Sequence, residues 1–271
     1  MEFSVLMSLY INEKVEYARA CFDSLLNQTV PAKEWVIVED GPLKEEMYTL
    51  LEEYENKNPG LIKRVPLEKN VGLGLALREG VLNCSYDLIA RMDTDDIARE
   101  DRFEVQLSLF EKDKELDICG SHIKEFIGEV ENIECERLVP LENDDIYKYQ
   151  RKRSAFNHMT VMFKKESVLR AGNYMHAPLM EDDMLWVCMM NVNCKCANID
   201  DYLVYVRVGN DMYERRGGWS YFKKYKNARK TIYNTGYISY WDYLSTVLIQ
   251  FVVALIPVKL RKFVFTKLLR K

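Results

Sequence analysis

Apolar and polar positions change period along the chain, and the changes divide it into elements. Five short runs rich in β-branched and aromatic residues, at 3–10, 35–39, 62–67, 88–92 and 117–121, predict strands. Between them apolar residues recur at helical spacing. Val15, Ala18, Phe22, Leu25 and Leu26 predict a helix over 15–27, and Met47, Leu50, Leu51 and Tyr54 predict one over 45–58. Segments 73–83 and 99–112 continue the alternation. Repeated β-α-β units imply a mostly parallel sheet flanked by helices, with any ligand site at the carboxyl ends of the strands.

After Ser121 the rhythm loosens. The pattern predicts irregular strands over 123–139, a short helix over 144–153, a strand over 158–163 and a short helix over 165–171 closed by Gly172. A helix over 184–191, a strand over 203–208 and helices over 219–234 and 240–256 follow. No Pro/Gly/Ser linker and no internal repeat interrupts the chain. The expected organisation is one α/β domain over 1–218 and a C-terminal helical extension over 219–271.

Composition narrows the class. The 271 residues are 48% hydrophobic and 30% charged, an ordinary globular profile. A net charge of −4 provides no global field for a polyanion and argues against nucleic acid as a partner. The balance is uneven, because residues 244–271 hold six basic side chains and no acidic one, which leaves 32 basic against 42 acidic in residues 1–243. Over 259–270 a helical reading puts Leu260, Phe263, Val264 and Leu268 along one side and Lys259, Lys262 and Arg270 along another. That pattern fits a basic interfacial helix on an anionic inner leaflet, with peripheral membrane contact through 240–271, or a helix packed on the domain. Seven cysteines without a CxxC pair point to reducing cytosol. The first residues lack the pattern of a signal peptide, and no window reaches the length of a spanning helix. The expected location is the cytoplasm, with peripheral contact on the inner face of the membrane.

Each of the first four strands ends in polar residues suited to a nucleotide: Ser8 after the first, Glu39-Asp40-Gly41-Pro42 after the second, Asn70-Val71-Gly72-Leu73-Gly74 after the third and Asp93-Thr94-Asp95-Asp96 after the fourth. Leu77 replaces the third glycine of a dinucleotide fingerprint, and the chain has no phosphate-binding GxxxxGK[ST] loop. Asp93 and Asp95, two apart in extended backbone, would share one face, a spacing that suits Mg2+ or Mn2+. The plainer reading of the same residues is a helix cap. Glu181-Asp182-Asp183 opens a predicted helix, either as a catalytic group or as a first turn favoured by the helix dipole. Arg207 and Tyr213-Glu214-Arg215-Arg216-Gly217-Gly218 suit a phosphate-clamping loop or a solvated turn. His158 reads as structural or as a contact to acceptor or diphosphate, and Leu185 and Trp186 as core.

Taken in order, the motifs Ser4–Ser8, Glu39-Asp40-Gly41, Asn70-Val71-Gly72-Leu73, Asp93-Thr94-Asp95-Asp96, Asp101-Arg102-Phe103, residues 157–163 and Glu181-Asp182-x-x-Leu185-Trp186 resemble those of family 2 glycosyltransferases. The resemblance spans roughly residues 3–218, and the variants at 38–43 and 215–218 are similar to bacterial capsular and exopolysaccharide enzymes. It implies a GT-A fold over 1–218 and inverting, metal-dependent transfer from a nucleotide-sugar, a UDP-sugar, to a glycan or an undecaprenyl-diphosphate-linked acceptor. It further implies Ser8, Glu39, Asp40 and Asn70 around the nucleoside, Asp93 near the ribose and the metal, Asp95 on Mn2+ or Mg2+, Asp182 as general base, and Arg215 and Arg216 on the diphosphate. Glu39 stands where the family often has Asp. The Gln-x-x-Arg-Trp pattern of processive synthases is absent, which argues against a polymerase that extrudes its product. A sugar nucleotidyltransferase and a non-catalytic nucleotide-sugar-binding module are the rival readings.

Overall fold

The computed structural model describes residues 1–209 and 217–257. Arg215, Arg216 and the basic segment 258–271 lie outside the described residues. The elements run β1 (Phe3–Leu9), α1 (Val15–Leu26), β2 (Glu34–Glu39), α2 (Glu45–Lys57), β3 (Ile62–Pro66), α3 (Leu73–Asn83), β4 (Leu88–Arg91), β5 (Ile97–Ala98), α4 (Arg102–Lys112), β6 (Leu116–Phe126), β7 (Ile133–Arg137), α5 (Asn143–Gln150), a 3-10 turn (His158–Thr160), β8 (Met162–Lys164), α6 (Lys165–Arg170), α7 (Glu181–Asn191), β9 (Lys195–Arg207), α8 (Gly218–Asn234) and α9 (Tyr240–Leu255).

The strands form one sheet in the order β3-β2-β1-β4-β8-β6-β9-β5, with β7 beside β6. The β3-β2-β1-β4 half is parallel. Strand order reverses at β1 and β4, the topological switch point where open α/β sheets leave a crevice. β8 joins the halves antiparallel to both β4 and β6. This is the α/β sheet flanked by helices that the β-α-β alternation predicts, parallel through its first four strands.

Period-two alternation in the central strands decides which side chains reach which face. In β1 Phe3, Val5, Met7 and Leu9 pack with α1, α2 and α4. Leu6 lies on the opposite face with residues of α3 and α7. In β2 Trp35 and Ile37 take the first face, while Val36 and Val38 take the second. Ser8 therefore shares the α3 face with Leu6, and the alternation carries Glu39 to the face opposite Val38.

Three expected strands change in the structure. The segment over 158–163 becomes a 3-10 turn before a short β8, with the Thr160 side chain closing it on the Asn157 carbonyl at 2.8 Å. The strand expected over 203–208 starts at Lys195, because Asn198, Asp200 and Asp201 hide its apolar period while it pairs with β6. β4 ends at Arg91, so Asp93 and Asp95 lie in a turn, with Asp96 N–H donating to the Asp93 carbonyl at 3.3 Å.

The C-terminal helices pack on the body. Ile232 of α8 and Ile238 join Met184 and Val187 of α7 in a small apolar cluster. Buried Arg229 donates to the Arg151 carbonyl at 2.7 Å and to Thr246 Oγ1 at 3.2 Å. Ser239 and Asp242 form a reciprocal capping box at the start of α9. Among the described residues no helix is long and apolar enough to cross a membrane.

Candidate active site

A cleft of about 440 Å3 opens at the β1/β4 switch point, lined by Ser8, Tyr10, Glu13, Asp40, Asn70, Gly72, Leu73, Asp93, Thr94 and Asp95. Its upper wall is a cradle built on Asp40. The Asp40 carboxylate accepts the backbone N–H groups of Val71 at 2.6 Å and Gly72 at 3.0 Å, and the Asn70 side-chain amide at 2.9 Å. Three donors hold the loop before α3 against the end of β2. Gly41 permits this approach, because its φ is +83° and a Cβ there would lie 2.6 Å from the Asn70 backbone nitrogen.

The opposite wall is acidic. Carboxylate oxygens of Asp93, Asp95 and Asp96 lie within 4.8 Å of one another. Desolvation and then the Asp93 charge push Asp95 up to about 6. Burial, reinforced by Asp95 and Asp93, holds Asp96 well above the usual carboxylate range. Glu13 is pushed up to about 7 by burial and then by Asp95 and Asp93. Asp96 Oδ1 accepts the Arg207 N–H at 2.9 Å, but its buried Oδ2 has no hydrogen-bond partner. Hard oxygen donors this close, penalised by their own repulsion and including an unsatisfied buried oxygen, fit a divalent cation.

Two buried arginines support this wall. Arg91, 1% exposed, ion-pairs with Asp93, while its Nε and Nη1 have no partner. Arg102, fully buried, donates to the Arg91 carbonyl at 2.7 Å and to the Met92 sulfur at 3.0 Å, fixing the end of β4. Arg207 reaches the Asp95 carbonyl at 3.2 Å and stacks over Tyr17 and Phe126.

The helix α7 brings a second set of carboxylates alongside. Gly74 in α3 makes room for it, since a Cβ there would lie 2.8 Å from the Met175 carbonyl oxygen and 3.0 Å from the Glu181 Cβ. Asp182 is pushed up to about 7 by burial, then by Asp183 and Glu181. Burial pushes the Tyr174 hydroxyl well above the usual phenol range, with Arg91 opposing the rise and the Asp182, Glu181 and Asp93 charges adding to it. Asp183 turns away to accept the Gln150 amide at 2.7 Å.

The structure thus brings Ser8, Asp40, Asn70, Asp93 and Asp95 to one cleft and sets Asp182 beside it rather than in its lining. Glu39 is not brought there. It sits buried on the other side of the sheet, holding Arg64 at 2.5 Å, because adjacent strand residues point to opposite faces and Asp40 has the cleft side. His158 is a buried structural group: its Nε2 bonds the Tyr174 hydroxyl at 2.8 Å, its ring packs edge-on against Trp186, and burial and Arg91 lower its pKa well below the usual imidazole value. Leu185 and Trp186 are core. Glu13, Tyr10 and Asp96 were not singled out as ligand groups by sequence. Position alone was the available signal for Glu13, which follows β1 at the same sheet edge.

A parallel half-sheet with a polar, acidic cleft at its switch point defines an α/β enzyme of the GT-A type. Residues 4–174 match the family described as Glycosyl transferase family 2, and the chain belongs to that family. It is 40% identical over 268 residues to the amylovoran biosynthesis glycosyltransferase AmsE of Erwinia amylovora, covering 98% of each chain. It is 34% identical over 270 residues to the UDP-Gal:alpha-D-GlcNAc-diphosphoundecaprenol beta-1,3-galactosyltransferase of Escherichia coli, covering 100% of this chain and 97% of that one. Among solved structures, a mannosyltransferase from Pyrobaculum calidifontis in complex with GDP-Man and Mn2+ superposes with a TM-score of 0.65 at 13% identity, covering 94% of this chain and 70% of that one. The protein is a glycosyltransferase.

Proposed function

We propose that the protein moves a sugar, with inversion, from a UDP-sugar to a glycan or polyprenyl-diphosphate-linked acceptor in the synthesis of a bacterial surface polysaccharide. The observation that carries this reading is the union, in one cleft at the switch point, of the Asp40–Asn70 cradle and the Asp93/Asp95/Asp96 cluster. The names of the two curated relatives, an amylovoran enzyme and a UDP-galactose-dependent one, support the donor and acceptor classes.

In this reading Ser8, Asp40 and Asn70 hold the nucleoside, with Asp40 accepting the uracil N–H while its backbone bonds keep it aimed. Asp93 and Asp95 are the residues that would hold Mn2+ or Mg2+, whose chemistry is to offset negative charge on the departing diphosphate. Arg91 orients Asp93. Arg215 and Arg216 are assigned to the diphosphate by the motif alone. Asp182 takes the proton of the acceptor hydroxyl as it attacks the anomeric carbon from the face opposite the leaving group. A carboxylate raised toward 7 suits that task, because it is both ionised near neutrality and basic enough to accept a proton. Glu39 has no contact role here and braces β2 against Arg64.

Incubation with sugar-labelled UDP-galactose, Mn2+ and an N-acetylglucosaminyl diphospholipid acceptor tests the proposal. Label in the lipid and stoichiometric UDP are the expected products. Pyrophosphate release, the mark of a nucleotidyltransferase, overturns it, as does failure to transfer from any member of a UDP-sugar panel.

A further inference from the structure

The last described helix leaves much of its apolar surface on the outside. On α9 the side toward the body buries Asp242, Thr246 and Gln250 together with Val247 and Val253, whereas Trp241, Leu248, Ile249, Val252 and Leu255 are exposed, at 74%, 54%, 64%, 57% and 65%. Leu248, Val252 and Leu255 stack as a ridge on one side with Ile249 at its edge, and Trp241 lies two turns before Leu248 on the same side, with half-buried Leu244 and Ser245 between them. The buried side is satisfied: Asp242 takes Arg151 at 2.6 Å and caps the helix through Ser239, and Thr246 takes Arg229. A helix that packs on a domain and meets water on its outer side keeps that outer side polar. An apolar face this continuous marks a contact with an apolar partner.

The neighbouring helix supplies charge. On α8, Trp219, Lys223, Lys226, Lys230 and Tyr233 repeat every three or four residues and so share one flank, and all are exposed. That flank adjoins the ridge at both ends, because Trp219 packs edge-on against Phe251 and Tyr233 against Tyr240. Near the α9 N-terminus lies a cleft of about 680 Å3 whose walls carry Lys148, Arg151, Lys152 and Arg153 with Asp145 and Asp242. From Gly218 to Lys271 the sequence holds eleven basic residues and one acidic, Asp242, which is already paired.

We infer that the α8–α9 face docks on the surface of an anionic bilayer, the ridge entering the headgroup boundary and the lysine row lying against lipid phosphates. Aromatic and aliphatic side chains beside snorkelling lysines are the chemistry of that interface. A second copy of the chain is disfavoured as occupant, since a two-fold contact would set the exposed lysine rows against each other. The inference deepens the proposed function and rests on it for its purpose: α8 packs on α7, so the surface lies one helix from Asp182, and a lipid-linked acceptor would be met there.

Flotation of the full-length protein with phosphatidylcholine vesicles, with and without phosphatidylglycerol, tests it. The protein is expected to float with the anionic vesicles and to lose that binding in high salt. Leu248→Asp combined with Ile249→Asp and Val252→Asp should abolish flotation. Lys223→Ala with Lys226→Ala and Lys230→Ala should weaken it by on the order of fivefold per lysine. Both triple variants should keep the wild-type melting temperature and transfer to a water-soluble acceptor. Wild-type protein that stays unbound with anionic vesicles, or variants that float like wild type, overturns the inference, as does a dimer in sedimentation that the apolar triple variant dissolves. Protein that floats but transfers no sugar leaves the docking intact and sinks the transferase reading; transfer to soluble acceptor without flotation does the reverse.

Discussion

Arg91 and Asp93, two residues apart at the end of β4, form an ion pair in which the guanidinium is buried and the carboxylate, 31% exposed, faces the cleft. The pair ties the acidic cluster to the core. Two of the Arg91 nitrogens have no partner, so its burial is tolerated chiefly for what it does to Asp93.

Arg91→Met separates positioning from stability. Removing one partner leaves Asp93 uncompensated beside Asp95 and Asp96, although its 31% exposure softens the loss, so unfolding free energy should fall by up to about 3 kcal/mol. Affinity for Mn2+ in the presence of UDP should fall roughly 10–100-fold, as when a group that orients a metal ligand is lost. Calorimetric titration and urea unfolding measure the two effects. Unchanged affinity would remove Arg91 from the site.

Carboxylate repulsion predicts how pH and a cation act together. Glu13, at about 7, and Asp95, at about 6, lie above the value of ~4 expected in the unfolded chain. Between those limits the native state holds protons that the unfolded state has released, so cation-free stability declines as pH rises from ~4 through 7. A cation bound only by the native state offsets that decline once the carboxylates are ionised. The rise in melting temperature with Mn2+ should therefore be small near pH 5 and larger near pH 7.5, and Asp95→Asn should remove most of it. An equal shift at both pH values counts against the cluster as the binding site.

Gly41→Ala should damage the nucleoside wall. The left-handed backbone costs a non-glycine residue about 1 kcal/mol or more, and the added methyl meets the Asn70 nitrogen. UDP binding should weaken while the far side of the sheet, monitored by Trp35 fluorescence on unfolding, remains cooperative. Wild-type UDP affinity in this variant would show that the Asp40–Asn70 cradle does not bind the nucleoside.

A general base at about 7 leaves a kinetic signature. Asp182 works when ionised, so turnover at saturating donor should rise nearly tenfold per pH unit below ~7 and level off above it. A profile flat from pH 5 to 8 would assign the proton transfer elsewhere.

Much of this was legible in the chain because parallel strands buried on both faces write continuous apolar runs, and their ends are marked by Ser8, Asp40, Asn70 and Asp93. What sequence could not give was orientation. Glu39 and Asp40 are neighbours with equal charge, yet strand alternation sends only Asp40 to the cleft. Asp93 and Asp95 were expected to share a face of extended backbone; they converge through a turn, which also admits Asp96. Glu13 reaches the cluster by tertiary folding across some eighty residues, and no local pattern announces that. His158 sits in a 3-10 turn because its ring is sequestered between Tyr174 and Trp186, a packing fact invisible to periodicity. The apolar outer side of α9 read as an ordinary helix pattern until burial showed which side faced the protein.

The central claim is that Asp182, held beside the acidic cleft by α7, deprotonates the acceptor. Asp182→Asn, assayed for transfer from saturating UDP-sugar with Mn2+ and titrated with UDP, tests it most directly. Turnover reduced by about 10²–10⁴-fold with UDP affinity unchanged is the expected result. Turnover near that of the wild type would contradict it.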